Sequence, residues 1–157
     1  MDKKNNSFTL FTEVPKFDLF KGEEDLTRTS MLQWEPPSSL EDVQHAIDEL
    51  NGDNPASIML ETADFSLSVL GGPERFACIM SDGTHAYHFI SKAREAATQA
   101  DLKTRIHGTF GQLSAKYALS KDEAVFLAVE LARGNNIIEQ KGFEIEIKKI
   151  EDIHLKS

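Results

Sequence analysis

A chain of 157 residues, 40% hydrophobic and 27% charged, has the make-up of one ordinary globular domain, and it holds no apolar run near the roughly 20 residues that span a bilayer. The formal net charge of −9 argues against direct DNA or RNA binding, which needs a basic footprint, and the single cysteine, Cys78, excludes an internal disulfide framework. The polar start, Met1-Asp2-Lys3-Lys4-Asn5-Asn6, is not followed by the apolar core of a signal peptide, so a cytoplasmic location is expected.

Residues 1–26 read as an N-terminal arm. Phe8, Leu10, Phe11, Val14, Phe17, Leu19 and Phe20 are too many large apolar groups for a disordered tail, and Pro15 and Gly22 interrupt them. The expectation is an arm or short hairpin that docks on the domain or becomes ordered against a partner. The domain proper is expected over 27–150, with 151–157 as a tail.

A strand over 27–34 ends at Pro36-Pro37. A helix start follows, because Ser38 with Glu41, or Ser39 with Asp42, has the spacing of a capping box. Leu40, Val43, Ile47 and Leu50 recur at helical spacing, and Asn51-Gly52 ends the element. Short strands come next. Ile58 and Leu60 mark the first, a turn at Ala63-Asp64 leads to Phe65–Val69, and Gly71-Gly72-Pro73 signals a sharp reversal. Phe76, Cys78 and Met80 alternate in the following strand, Ser81-Asp82-Gly83 is a hairpin turn, and Tyr87 and Phe89 share one side of its partner. Residues 91–101 form a polar connection. Leu102, Thr104 and Ile106 alternate again, and the Gly-x-x-Gly spacing of Gly108 and Gly111 reads as a loop.

Ser120-Lys121-Asp122-Glu123 is a capping box opening a second helix. Ala124–Val129 is apolar almost all round, so this helix is expected to be buried on most sides against the sheet. Gly134-Asn135-Asn136 ends it, and Phe143, Ile145 and Ile147 share one face of a last strand. The pattern is α+β: an antiparallel sheet of about five to seven strands with two main helices packed on it.

The search for chemistry gives little. His85 and His88 lie at an odd offset in a strand, which sends them to opposite faces, and no second cysteine completes a zinc site, so no metal is expected. Cys78 shares a face with Phe76 and Met80, a core setting rather than that of a nucleophile. No Gly-x-Ser-x-Gly elbow or phosphate-binding loop is present, and no catalytic residue or cofactor is assigned.

Charge placement says more. Between Arg28 and Arg75 there is no Lys or Arg, yet the interval holds Glu35, Glu41, Asp42, Asp48, Glu49, Asp53, Glu61, Asp64 and Glu74. The rest of the chain is balanced, so one contiguous third carries the whole imbalance. Such a field repels polynucleotide and speeds encounter with a basic partner. Glu41, Asp42, Asp48, Glu49, Asp53, Glu61 and Asp64 form the pool of candidate binding residues.

The order of small motifs adds a family. Trp34, the capped helix from Leu40 to Leu50, strands over 56–70, Gly71-Gly72, strands over 75–90, Gly111-Gln112 and the alanine-rich helix from Ala124 to Ala132 follow one another. The series resembles the first-numbered immunity protein family of bacterial polymorphic toxin systems, over about residues 30–145. Where that family places a tryptophan after the second helix, this chain has Phe143. Where it places a glycine before Gly-Gln, this chain has Phe110. The resemblance implies a non-enzymatic protein that binds one cognate secreted toxin, often a nucleic-acid deaminase or nuclease, in a 1:1 complex and blocks it. The glycines Gly71, Gly72 and Gly111 read as backbone geometry first, and Gln112 as a bridge between loops or a toxin contact. Alternatives are a small enzyme with an unrecognised site and an acidic secretion chaperone or adaptor.

Overall fold

The computed structural model describes residues 8–36, 38–53, 55–92, 101–106 and 109–149, with the backbone but not the side chains of Leu26, Thr27, Ile106, Thr109 and Phe110. Among the described residues, nine strands and two α-helices follow in the order β1 (Thr9–Asp18), β2 (Glu23–Gln33), α1 (Leu40–Asp48), β3 (Ser57–Glu61), β4 (Ser66–Gly71), β5 (Phe76–Ser81), β6 (His85–Ser91), β7 (Leu102–Ile106), β8 (Thr109–Leu113), α2 (Lys121–Ala132) and β9 (Phe143–Lys149), with one 3-10 turn at Ala115–Tyr117 before α2. Seven strands form one antiparallel sheet, β2-β1-β3-β4-β5-β6-β9, while β7 and β8 pair only with each other. The fold is α+β, with both helices packed against the sheet.

Side-chain alternation decides which face is covered. Leu67 and Val69 of β4 lie opposite Met80 and Cys78 of β5, and all four are buried with Ile58, Leu60, Phe76 and Phe89 in the main core. The helices close this core. Ser39 caps α1 with a reciprocal box, its hydroxyl accepting from the Asp42 backbone and Asp42 accepting from the Ser39 backbone at 2.8 Å. That start sets the phase of the apolar stripe, so Val43, Ile47 and Leu50 all arrive fully buried. Burying each such side chain stabilises the fold by about 1.5–3 kcal/mol. α2 begins on the same device, with Ser120 and Glu123. It buries Ala124, Leu127, Ala128, Leu131 and Ala132, but Val125 and Val129 are only partly covered and Phe126 is 42% exposed. α2 is thus buried along one broad side, not on most sides, because its main contacts among the described residues are with α1 and the sheet.

The opposite face carries a smaller cluster. Leu70 and Ala77 point away from the helices and pack with Leu102 of β7, with Ile79 and Leu113 at the margin. The β7–β8 hairpin therefore covers part of the second face. Thr104 is fully buried, and its hydroxyl donates to the Gly52 carbonyl, which ties this hairpin to the end of α1.

Two expectations need correction. Residues 1–26 do not divide from the domain at residue 26: that boundary falls inside β2, and β1 is an interior strand hydrogen-bonded to β2 and β3. Leu10, with no exposed surface, lies opposite Leu60 and belongs to the main core. Gly111 is not in a loop but inside β8, opposite Thr104, because the chain reverses before residue 109. Most of the polar connection over 91–101, Gly108 and the tail over 151–157 lie outside the described residues.

Candidate functional site

The seven candidate acids do not share one role. Asp42 is spent on the α1 cap. Asp48 pairs with Lys121 at the start of α2 at 2.8 Å, Glu49 with His45 one turn back at 3.1 Å, and Asp53 with Arg105 of β7. The first two pairs are exposed, and pairs of that kind are worth under about 1 kcal/mol and yield readily to a competing charge, whereas Arg105 is largely buried. Glu41 in the first turn of α1, Glu61 at the end of β3 and Asp64 in the β3–β4 turn are exposed, and no cation pairs with them among the described residues.

Glu61 and Asp64 share one cleft, of about 810 Å³, which they line together with Phe8, Phe65, Asn135 and Asn136 where the chain leaves α2. The last carbonyls of a helix carry partial negative charge, so this end of the molecule favours a cation over an anion. Asp53 lies at the other end of β3 from Glu61, so the pool occupies both ends of the sheet rather than one continuous face.

The motif positions serve the scaffold. Trp34 is half-buried, donates from Nε1 to the Thr12 hydroxyl at 2.7 Å and meets His45 of α1 edge-on. It pins the start of the helical layer to β1. Gly71 and Gly72 have φ of +104° and +101°, and the Gly72-Pro73 bond is cis. A Cβ on Gly72 would stand 2.2 Å from the Leu50 carbonyl oxygen, so only glycine lets the β4–β5 turn lie against the end of α1. Gln112 is exposed on β8, and among the described residues its amide bridges nothing.

Other titratable groups are structural in their settings. Cys78 is buried, and desolvation, aided by the Glu123 charge, pushes its thiol well above the ordinary range, which leaves it unreactive. His88 faces away from the helices with its ring 5.3 Å from that of Tyr117. Burial, reinforced by Lys148, lowers its pKa, and Nε2 has no hydrogen-bond partner among the described residues. Tyr117 donates to Glu146, and burial with that bond raises the phenol to about 12. Among the described residues no group of three or more His, Cys, Asp or Glu is arranged to hold a metal, and no helix is long and apolar enough to cross a membrane.

One buried polar residue is not legible in the sequence pattern. Glu13 of β1 is only 6% exposed, and its two oxygens accept from the Thr29 and Ser57 hydroxyls, each at 2.8 Å. Reading residues 1–26 as an arm hides this buried side. At the end of the β1–β2 hairpin, Phe17, Leu19 and Phe20, which the sequence already marks as too apolar for a disordered tail, stand in solvent.

Comparison with protein-family models, curated proteins and solved structures finds no match to this chain.

Proposed function

We propose that this chain is an immunity protein: it binds a cognate bacterial toxin, a nucleic-acid deaminase or nuclease, in a 1:1 complex in the cytoplasm and occludes its substrate groove without catalysis. The observation that carries the reading is the cation-free segment between Arg28 and Arg75, which folds into α1 and the β3–β4 hairpin and exposes Glu41, Glu61 and Asp64. An enzyme acting on polynucleotide presents a basic groove to phosphates. Carboxylates fixed on a rigid scaffold compete for that groove and are drawn to it at long range. The motif order set out above supports the same class.

The test uses the product of the adjacent reading frame, purified as its C-terminal domain. An equimolar amount of this chain is expected to abolish its activity and to rescue growth on co-expression. Reversing Glu41, Glu61 and Asp64 to Lys together is expected to slow association and flatten its salt dependence. A chain that forms no complex with that product, yet turns over a small molecule alone, overturns the proposal.

A further inference from the structure

The β1–β2 hairpin outruns the body of the sheet. Among the described residues, β1 pairs with β3 over Thr9–Thr12, and from Glu13 to Asp18 its strand partner is β2 alone. Within that stretch the register shifts. Pro15 faces Thr29, but Lys16 faces Asp25, so residues 26–28 of β2 have no counterpart on β1. A bulge of this kind bends and twists a two-stranded ribbon, which sets residues 16–25 apart as a distal tip.

The tip is apolar at its summit and shaped by its own hydrogen bonds. Phe17, Leu19 and Phe20 are 57%, 85% and 102% exposed. Asp18 Oδ1 accepts from the Phe20 backbone at 2.9 Å and the Lys21 backbone at 3.2 Å, and Gly22 donates to the Asp18 carbonyl at 2.8 Å. The turn that presents Leu19 and Phe20 is therefore formed before any partner arrives, which lowers the ordering cost of binding. Two phenylalanine rings and a leucine within four residues bring a large apolar area to one point, which a partner's pocket can bury.

Charge selects the occupant. Asp18, Glu23, Glu24 and Asp25 flank the summit, against Lys16 and Lys21. A second copy, itself at −9, brings like charges together, and an anionic bilayer repels the same collar. A basic protein with an apolar pocket in its cleft satisfies both the rings and the carboxylates. We infer that the hairpin tip is the anchor of this chain: Phe17, Leu19 and Phe20 enter an apolar pocket within the basic cleft of the partner protein. This rests on the immunity reading and names the contact that holds the complex.

The experiment is calorimetric titration of the adjacent-frame C-terminal domain with the full chain, the triple variant Phe17→Ser/Leu19→Ser/Phe20→Ser, and Phe126→Ser as an exposed apolar control on α2. Melting curves of the free variants check that each is folded. The tip variant is expected to bind about 100-fold more weakly, matching the scale of anchor residues, while Phe126→Ser stays close to the parent. Tight binding by the parent with less than a tenfold loss in the tip variant overturns the anchor and leaves the immunity reading standing. No binding by the parent overturns both. Sedimentation of the chain alone and with phosphatidylcholine–phosphatidylglycerol vesicles is expected to show neither self-association nor lipid binding. Either of these, if abolished by the tip variant, overturns the assigned partner.

Discussion

Gly72→Ala isolates the contact between the β4–β5 turn and the end of α1. Two costs act there. A side chain at φ +101° is strained, at about 1–3 kcal/mol. The new Cβ would also stand 2.2 Å from the Leu50 oxygen and 2.6 Å from its carbonyl carbon, closer than real Cβ atoms come to anything. Either the turn or the C-terminal end of α1 must move, which for overpacking of this kind costs about 1–3 kcal/mol more. Gly83→Ala supplies the control, since Gly83 has φ +98° and nothing within 4 Å of its would-be Cβ. Both variants carry the backbone strain, and only the first carries the clash. Urea unfolding followed by circular dichroism is expected to show Gly72→Ala less stable than Gly83→Ala by about 1–3 kcal/mol at unchanged m-value. In a chain of this size each kcal/mol shifts Tm by about 2–4 °C, so melting curves give a second reading. Equal losses at the two positions refute the claim that Gly72 is required by the approach of Leu50.

Ser57→Ala leaves the buried Glu13 carboxylate with one hydroxyl partner instead of two, and a loss of about 1–3 kcal/mol is expected in the same unfolding assay. Adding Glu13→Met to that variant removes the stranded charge and is expected to recover stability. Asp82 accepts from the backbones of Thr84 and His85, with Thr84 and Tyr87 hydroxyls adding to the set, and these bonds hold its carboxyl well below the ordinary 3.8. A folded-state value below the unfolded one means stability that is complete above about pH 4 and is lost as pH falls toward the folded value. The stability gap between the parent and Asp82→Asn is therefore expected to narrow as pH drops from 6 to 2.5, and a constant gap counts against the assigned hydrogen bonds.

The parts legible in the sequence are those whose cause is local. Both helices follow from a Ser and an acid three residues apart, and the structure shows both reciprocal boxes. The hairpin turns at Ala63-Asp64, Gly71-Gly72 and Ser81-Asp82-Gly83 follow from residues that favour tight turns, and they join successive strands of the sheet. What failed depends on distant parts of the chain. Leu10 is core only because Leu60, fifty residues on, lies opposite it, and no local signal distinguishes that from an apolar arm. Gly111 takes an ordinary strand conformation because β7 supplies its partner, Thr104. Likewise the count of acids is local, but their availability is not. Asp48 and Asp53 meet Lys121 and Arg105, both far along the chain and outside the cation-free segment. A composition argument sees the imbalance of charge and cannot see which part of it folding neutralises.

The two proposed contributions to binding are separable because they act at different distances. Carboxylates such as Glu41, Glu61 and Asp64 act through solvent over about one Debye length, roughly 8 Å at physiological salt, so they change the frequency and orientation of encounters. Phe17, Leu19 and Phe20 act only on contact, since burial of apolar surface gives nothing until water is expelled. Charge reversal at the first set therefore belongs to the association rate and its salt dependence, and truncation of the second to the dissociation rate. The bulge at Pro15–Lys16 gives this division a structural basis: it separates Glu41, Glu61 and Asp64, on the body fixed by the core, from the apolar summit of a tip with its own hydrogen-bonded turn. A partner engaged by both must hold, within one cationic cleft, the apolar pocket and the basic groups that meet the body's carboxylates at the spacing that this bend sets. In the proposed complex, that spacing adds to net charge in setting one basic partner apart from another.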